Sequence, residues 1–305
     1  MRTVNEIILG IETSCDETSA AVVAYGAGKF QVLSNVISSQ IDTHKQYGGV
    51  IPEIASRMHC ENIIPVLEIA LQKANVTLDE ITMICATKEP GLPGAVMVGR
   101  VFGESLAAAL DVPYAAVNHL SGHIASLYLS NSMPSKYKCL LVSGGHTQLY
   151  EVREKNGKLN VKLLIQTADD AVGECFDKVG RKLGLEYPAG EKISKLAKEW
   201  HGEIIKFCEI KKLSYSGLKT SVLNYINAVR QKGEAINLSQ ICKSFEVAAI
   251  GQLLRLKPDA VCGGVSANSY LRECLPNAYF PLGELCGDNG VMIAAAGVLF
   301  SGKNE

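Results

Sequence analysis

The chain has 305 residues, 47% of them hydrophobic and 20% charged, with a net charge of −1, enough apolar content for a large core and a length better suited to two domains than one. No stretch approaches the roughly 20 apolar residues of a membrane span, and the run Ile7-Ile8-Leu9 is too short for a signal-peptide core, so the expectation is a cytoplasmic protein with no membrane partner. Ten cysteines with no Cys-x-x-Cys pair, mostly inside apolar stretches such as Ile84-Cys85-Ala86, exclude a zinc ribbon and argue for reduced, buried thiols.

In chain order, Ile7 to Ile11 reads as a strand, Glu12 to Thr18 as a turn of acidic and hydroxyl residues, and Ser19 to Val23 as the returning strand. Gly48-Gly49-Val50-Ile51-Pro52 leads into a helical pattern from Glu53 through Leu71, which Pro65 is expected to kink or break. Ile81 to Thr87 is a strand, Gly91-Leu92-Pro93-Gly94 opens a helix over Ala95 to Leu110, and Val112 to Val117 is a buried strand. Asn118 is a good N-cap for a helix running from Leu120 to Leu129. His119 and His123 stand four apart at that junction, and residues so spaced share a helix face, so two imidazoles there can hold one metal ion.

Cys139 to Val142 then enters Ser143-Gly144-Gly145-His146-Thr147 and returns as Gln148 to Val152, the same design as the first hairpin about 130 residues earlier. Two such hairpins suggest two related domains, each offering backbone N–H groups and hydroxyls to a phosphate. Tyr187-Pro188-Ala189-Gly190 and, after the strand Asp259 to Cys262, Gly263-Gly264-Val265-Ser266-Ala267-Asn268 are further turns of this kind. Cys286-Gly287-Asp288-Asn289-Gly290 sets a carboxylate before an apolar helix. Two histidines and an aspartate with open positions make a catalytic rather than a closed structural ligand set, although spacing alone does not bring Asp288 to His119.

Strands alternating with helices imply an α/β fold with largely parallel sheets. Neither a Walker loop nor a Gly-x-Gly-x-x-Gly fingerprint is present, which leaves P-loop NTPases and dinucleotide dehydrogenases poorly supported, and the absence of His-Glu-x-x-His argues against a zinc protease. Residues 134–257 carry 21 Lys and Arg against 13 Asp and Glu. Lys178, Arg181, Lys182, Lys192, Lys195, Lys198, Lys211, Lys212 and Lys219 are candidates for a polyanion-binding face, the alternative being a solvated helical surface.

The ordered series Gly10-Ile11-Glu12-Thr13-Ser14-Cys15-Asp16-Glu17-Thr18, Gly49 to His59, Asn118-His119-Leu120-Ser121-Gly122-His123, Val142 to Leu149, Phe176-Asp177-Lys178, Ser214 to Thr220, Gly264 to Asn268 and Asp288 to Ala294 closely resembles the TsaD family, the bacterial tRNA N6-adenosine threonylcarbamoyltransferases once described as glycoproteases. The resemblance covers essentially the whole chain. It implies an actin-like, sugar-kinase-like ATPase fold of two related lobes around a nucleotide cleft, with residues 1–130 and a C-terminal helix over 290–305 in one lobe and 131–289 in the other. It implies transfer of threonylcarbamoyl from threonylcarbamoyl-AMP to N6 of the adenosine 3′ of the anticodon, releasing AMP.

The same resemblance implies that His119, His123 and Asp288 bind a divalent metal, Fe2+ or else Zn2+, and that Leu141, Val142, Ser143, Gly144, Gly145, Asp177, Gly190 and Asn268 bind the adenine nucleotide, threonylcarbamoyl-AMP or ATP. Glu12, Asp16 and His146 are candidates for phosphate or catalytic roles. Implied partners are tRNA, a TsaB-like paralogue and a TsaE-like ATPase. The chain departs from the family at Ala189, which adds a methyl to the usual Tyr-Pro-Gly-Gly, at Cys286-Gly287-Asp288 in place of Cys-Thr-Asp, and in a shortened stretch from Phe245 to Cys262. Two other readings stay open: a sugar-kinase-like phosphotransferase, and a non-catalytic scaffold of a tRNA-modification complex.

Overall fold

A computed structural model describes residues 6–207 and 212–300; Lys211 and residues 301–305 lie outside the described residues. The elements run β1 (Glu6–Glu12), β2 (Glu17–Gly26), β3 (Lys29–Ser39), α1 (Ile41–His44), α2 (Pro52–Ala74), β4 (Met83–Glu89), α3 (Pro93–Leu110), β5 (Tyr114–Asn118), α4 (His119–Ser126) and β6 (Lys136–Val142). They continue with β7 (Thr147–Lys155), β8 (Lys158–Gln166), α5 (Val172–Lys182), α6 (Gly190–Lys198), α7 (Ser216–Gln231), α8 (Leu238–Leu254), β9 (Ala260–Cys262), α9 (Ser269–Cys274) and α10 (Gly290–Phe300). No described helix is long and apolar enough to cross a membrane.

The chain divides into two compact units, one of residues 1–136, 152–161 and 281–305, the other of 137–151 and 162–280. The first holds a sheet of order β3-β2-β1-β4-β5, in which β2 runs antiparallel to β1 and β3 while β4 and β5 are parallel to β1. The other sheet has the order β8-β7-β6-β9, with β6 and β9 parallel. Both orders begin with three successive strands and continue with crossover strands, β4 and β5 in the first and β9 in the second, so the duplicated hairpin seen in the sequence extends to a duplicated sheet. The third strand of each, β3 and β8, is mostly exposed or half-buried and is not among the strands expected from the sequence, although Leu159, Val161, Leu163 and Ile165 alternate along β8.

Helix α2 passes through Pro65 without interruption. Proline removes one donor, and the carbonyl left free is that of Glu61; both residues are exposed, so water replaces the missing bond. The helix expected to reach Leu129 instead ends at Ser126 and closes with a 3-10 turn over Leu127–Leu129.

Helix α10 is apolar on every side, and Gly290 through Leu299 are all buried, as such a helix must be. Its start lies directly on the backbone of β1 and β2. A Cβ at Gly10 would stand 2.0 Å from the Gly290 carbonyl oxygen, and one at Gly290 would stand 2.5 Å from the Gly10 oxygen and 2.7 Å from the Ala21 nitrogen. Ser19 Oγ accepts a hydrogen bond from the Gly290 N–H at 2.8 Å, and Asn289, fully buried, caps the helix by accepting from Met292 N at 3.0 Å. Gly122 of α4 completes the contact, because a Cβ there would meet Ile293 Cδ1 at 2.9 Å.

Gly10→Ala and Gly290→Ala are therefore each expected to lower unfolding free energy by about 3 kcal/mol, at the upper end of overpacking costs, whereas Gly49→Ala, with open space around the added carbon, should change it by less than about 0.5 kcal/mol. Chemical denaturation of the three variants checks this, and equal stabilities would contradict it.

Candidate functional site

In the first unit the glycine contacts carry Asp288 to α4. Asn118 caps that helix, accepting from Leu120 N at 3.0 Å and Ser121 N at 3.3 Å, which turns His119 and His123 toward the same side, their ring centroids 4.7 Å apart. Asp288 Oδ1 lies 3.2 Å from His123 Nε2 and 3.6 Å from His119 Nε2. Each residue offers one donor atom, all within 4.8 Å of one another. His123 is fully buried, yet neither of its ring nitrogens has a hydrogen-bond partner among the described residues. An unsatisfied buried imidazole costs free energy, and a cation bound by that nitrogen removes the cost, so the donor set fits a divalent metal of the kind that accepts imidazole and carboxylate together.

The outer nitrogen of His119 is held differently. Its Nδ1 is 3.0 Å from Glu12 Oε2 and 3.2 Å from Ser14 Oγ. Glu12 is fully buried, and the same Oε2 accepts from Thr87 Oγ1 at 2.6 Å while Oε1 accepts from Ser14 N. Burial pushes the Glu12 carboxyl up, but His119 beside it more than offsets this and holds it below the usual carboxylate value. Glu12 thus fixes the proton on Nδ1 and leaves Nε2 to face Asp288, the arrangement by which carboxylates orient metal-binding histidines. Asp16 is buried immediately before the start of β2, its carbonyl accepting from Gln40 N at 2.9 Å. Burial and the neighbouring Asp16 carboxylate push Glu17 well above the carboxylate range.

In the second unit, Leu141 and Val142 are fully buried strand residues, so only their main chain is available to a ligand. Ser143 N donates to the His146 carbonyl at 2.9 Å and Ser143 Oγ accepts from His146 N at 3.2 Å, closing a turn whose tip, Gly144-Gly145, is exposed with open space around it. The N-terminus of α5 sits against this turn: a Cβ at Gly173 would be 2.6 Å from the Ser143 oxygen, and Val172 N donates to Thr147 Oγ1 at 2.8 Å. Asp177 Oδ1 accepts from Ala189 N at 2.8 Å, just before Gly190 opens α6. The extra methyl of Ala189 is buried against Gly180, where no second Cβ would fit, so it points into the core and not across the turn.

Asn268 Oδ1 caps α9 by accepting from Leu271 N at 2.8 Å, while its Nδ2 donates to Ser194 Oγ at 2.8 Å and Glu246 Oε1 at 2.9 Å. Ser194 and Glu246 escaped sequence reading, as did Ser14 and Thr87 in the first unit. A signal existed for two of them: Glu246 is an acid within an apolar helical run, and Thr87 is a hydroxyl residue at the C-terminal end of a parallel strand, where sites are commonly built. The basic surplus is partly neutralised. Lys178 lies 3.0 Å from Asp170 and 2.6 Å from Glu174, Lys219 is paired with Asp170, and Lys192 lies 3.3 Å from Glu186.

Among solved structures, the activator of the 2-hydroxyisocaproyl-CoA dehydratase from Clostridium difficile with bound ADPNP is similar to this chain with a TM-score of 0.54 at 11% identity, over 96% of this chain and 93% of that one. Full-length HypF in its phosphate- and nucleotide-bound form gives 0.55 at 15% identity, over 96% and 46%. The duplicated sheet and these likenesses define an α/β protein of the actin-like ATPase fold. Within it, residues 31–295 match the family TsaD, tRNA N6-adenosine threonylcarbamoyltransferase. Proteins of that name from Clostridium perfringens strain SM101 and Clostridium botulinum strain 657 are 45% and 43% identical to this chain, each over 95% of it and 91% of their own length. The chain belongs to this family of transferases, which act on tRNA adenosine.

Burial opposes the charged form of His119, but Asp288 and then Glu12 outweigh it and raise the imidazole from 6.5 to about 9 when no cation is bound. The raised value means that this pairing stabilises the fold fully below pH 6.5 and ceases to do so as pH rises through about 9. A cation must displace that proton, so apparent Zn2+ affinity should fall about tenfold for each pH unit below about 9, a slope that chelator-competition titrations from pH 6.5 to 9.5 will measure.

Proposed function

We propose that this chain transfers threonylcarbamoyl from threonylcarbamoyl-AMP to N6 of the adenosine just 3′ of the anticodon, releasing AMP, with one divalent metal held by His119, His123 and Asp288. The observation that carries the metal assignment is the fully buried His123 ring, neither nitrogen of which is hydrogen-bonded among the described residues, with Nε2 set 3.2 Å from a carboxylate oxygen of Asp288. A metal bound there would supply Lewis acidity to a carbonyl whose oxygen gains charge under attack. Iron, as Fe2+, is our first assignment, on the family resemblance, and Zn2+ the second, since both accept imidazole and carboxylate ligands.

The residues of the chain then divide the work. Glu12 keeps the His119 proton on Nδ1 and so keeps Nε2 available. Thr87 and Ser14 hold Glu12 in turn. The main chain of Leu141 through Gly145 and the exposed tip Gly144-Gly145 bind the adenylate, whose phosphate such glycine-rich backbone suits. Asp177, Gly190 and Asn268 take part in the same binding, Asp177 and Asn268 chiefly by fixing the entries to α6 and α9. AMP is a good leaving group, so the site contributes position more than acid strength. Asp16 and His146 remain candidates for handling the amine proton or a phosphate.

tRNA is the acceptor, and basic residues of the second unit outside the Asp170 and Glu186 pairs are assigned to its phosphates, which supply most of such affinity. A TsaB-like paralogue and a TsaE-like ATPase are proposed as partners from the resemblance of the chain, and a cytoplasmic location follows from the substrate. The test is transfer of label from threonine-derived threonylcarbamoyl-AMP to unmodified tRNA with partner proteins supplied. Wild type should label adenosine, and His119→Ala and Asp288→Ala should lower the rate at least a hundredfold while retaining their fold, as expected when a metal ligand is lost. Undiminished transfer by both variants would sink the assignment.

A further inference from the structure

Beneath the turn of Glu12 to Thr18 lies a second pair of histidines, His44 and His59, both fully buried and both outside the candidate metal site. They are joined through Gln40, itself buried. Ile51 N, which can only donate, points at His44 Nδ1 at 3.3 Å, so that nitrogen carries no proton and Nε2 does. His44 Nε2 then donates to Gln40 Oε1 at 3.1 Å. The Gln40 amide is oriented independently, since its Nε2 donates to the Ala55 carbonyl at 3.4 Å.

The same Nε2 is 3.3 Å from His59 Nδ1, which also takes the Thr18 hydroxyl at 2.8 Å. Two donors on Nδ1 leave the His59 proton on Nε2, and there it donates to the Cys15 carbonyl at 3.0 Å. A peptide N–H at one end and a peptide carbonyl at the other thus impose the same direction on every bond between them. Two neutral imidazoles in one tautomer each are the only state that satisfies all of these groups.

The far end of this string reaches the metal ligands. Cys15 follows Ser14, whose N–H donates to Glu12 Oε1, and Glu12 Oε2 receives His119 Nδ1 at 3.0 Å. We infer that His59 is a positioning residue for the metal centre, holding the Cys15 carbonyl so that Ser14 and Glu12 keep His119 in the tautomer that presents Nε2. The inference rests on the metal reading of His119, His123 and Asp288. His59 is itself neither a ligand of that metal nor a group that touches substrate.

The experiment uses the full chain, Zn2+ alone as probe in chelator competition, and the transfer assay with partners present. His59→Leu should weaken Zn2+ binding about tenfold, the lower end of what outer-lying hydrogen-bond partners contribute, and lower kcat with KM for threonylcarbamoyl-AMP unchanged. His59→Gln, whose amide nitrogen can reach the Cys15 carbonyl, should recover binding to within threefold of wild type. If His59→Leu does not fold, Thr18→Val serves in its place with a smaller loss. In wild type, 15N spectra of labelled histidine should show His44 and His59 both protonated at Nε2 only at neutral pH. Wild-type Zn2+ affinity and kcat in His59→Leu, or a Nδ1-protonated His59, would overturn the inference. Wild type that binds no Zn2+ would instead refute the metal reading, and the inference would fall with it.

Discussion

The candidate metal centre depends on one close approach of backbone to backbone, that of Gly10 in β1 to Gly290 at the start of α10. No side chain fits on either residue. The absence of two Cβ atoms lets an entirely apolar helix lie on the sheet at main-chain distance, and that helix carries Asp288 at its entrance. Ser19 and Asn289 satisfy the first N–H groups of α10, which would otherwise be buried without partners. Gly122 then admits the side chains of α10 against α4. Three glycines distant in sequence therefore set where a carboxylate meets two imidazoles.

Around that meeting point the polar groups are arranged in layers, each limiting the freedom of the one inside it. Asp288 and the outward nitrogens face one another. Glu12 governs His119 from behind, and Thr87 and Ser14 govern Glu12. His59, Gln40 and His44 lie beyond, and their direction is imposed from peptide groups at both ends. Such a buried network is costly when incomplete and specifies one geometry when complete. The His123 ring has no hydrogen bond among the described residues and its Nε2 meets the Asp288 carboxylate at 3.2 Å, which is what supports its proposed role as a metal ligand. The second unit uses its polar groups otherwise. Asn268, Ser194 and Glu246 spend their hydrogen bonds on one another and on the start of α9, and Asp169 accepts from Ser214, Ser216 and the Tyr215 N–H to bind the segment before α7 to the end of β8's loop.

Much of this was legible in the sequence. The spacing of His119 and His123, the cap at Asn118 and the two matching hairpins follow from period and local chemistry alone, and so did the alternation of strand and helix. Asp288 was legible as a carboxylate in a turn but not as a neighbour of His119, because what joins them is the packing of Gly10 on Gly290. Glu12 was read as facing phosphate, since a turn of acidic residues carries no sign of which will be buried. Its burial comes from β4 lying beside β1, which brings Thr87 to it. Pro65 misled for a related reason: the cost of a helical proline depends on whether the carbonyl it frees meets water, and that is decided by tertiary packing. The lysines counted toward a basic face were likewise visible only as charge, and their pairing with Asp170 needed α5 and α7 to be placed.

The order in which the ligands are made has a consequence for biosynthesis. His119 and His123 leave the ribosome 169 and 165 residues before Asp288, a delay on the order of ten seconds or more at roughly 5–20 residues per second. During that time β1 and β2 expose the bare main chain on which α10 will sit, and the histidine pair lacks its carboxylate. A cation captured early would be held by two imidazoles and exchanged freely. Only when α10 docks does the third donor arrive, so on the proposed metal reading secure loading would coincide with completion of the first unit, and a truncated or stalled chain would retain little metal.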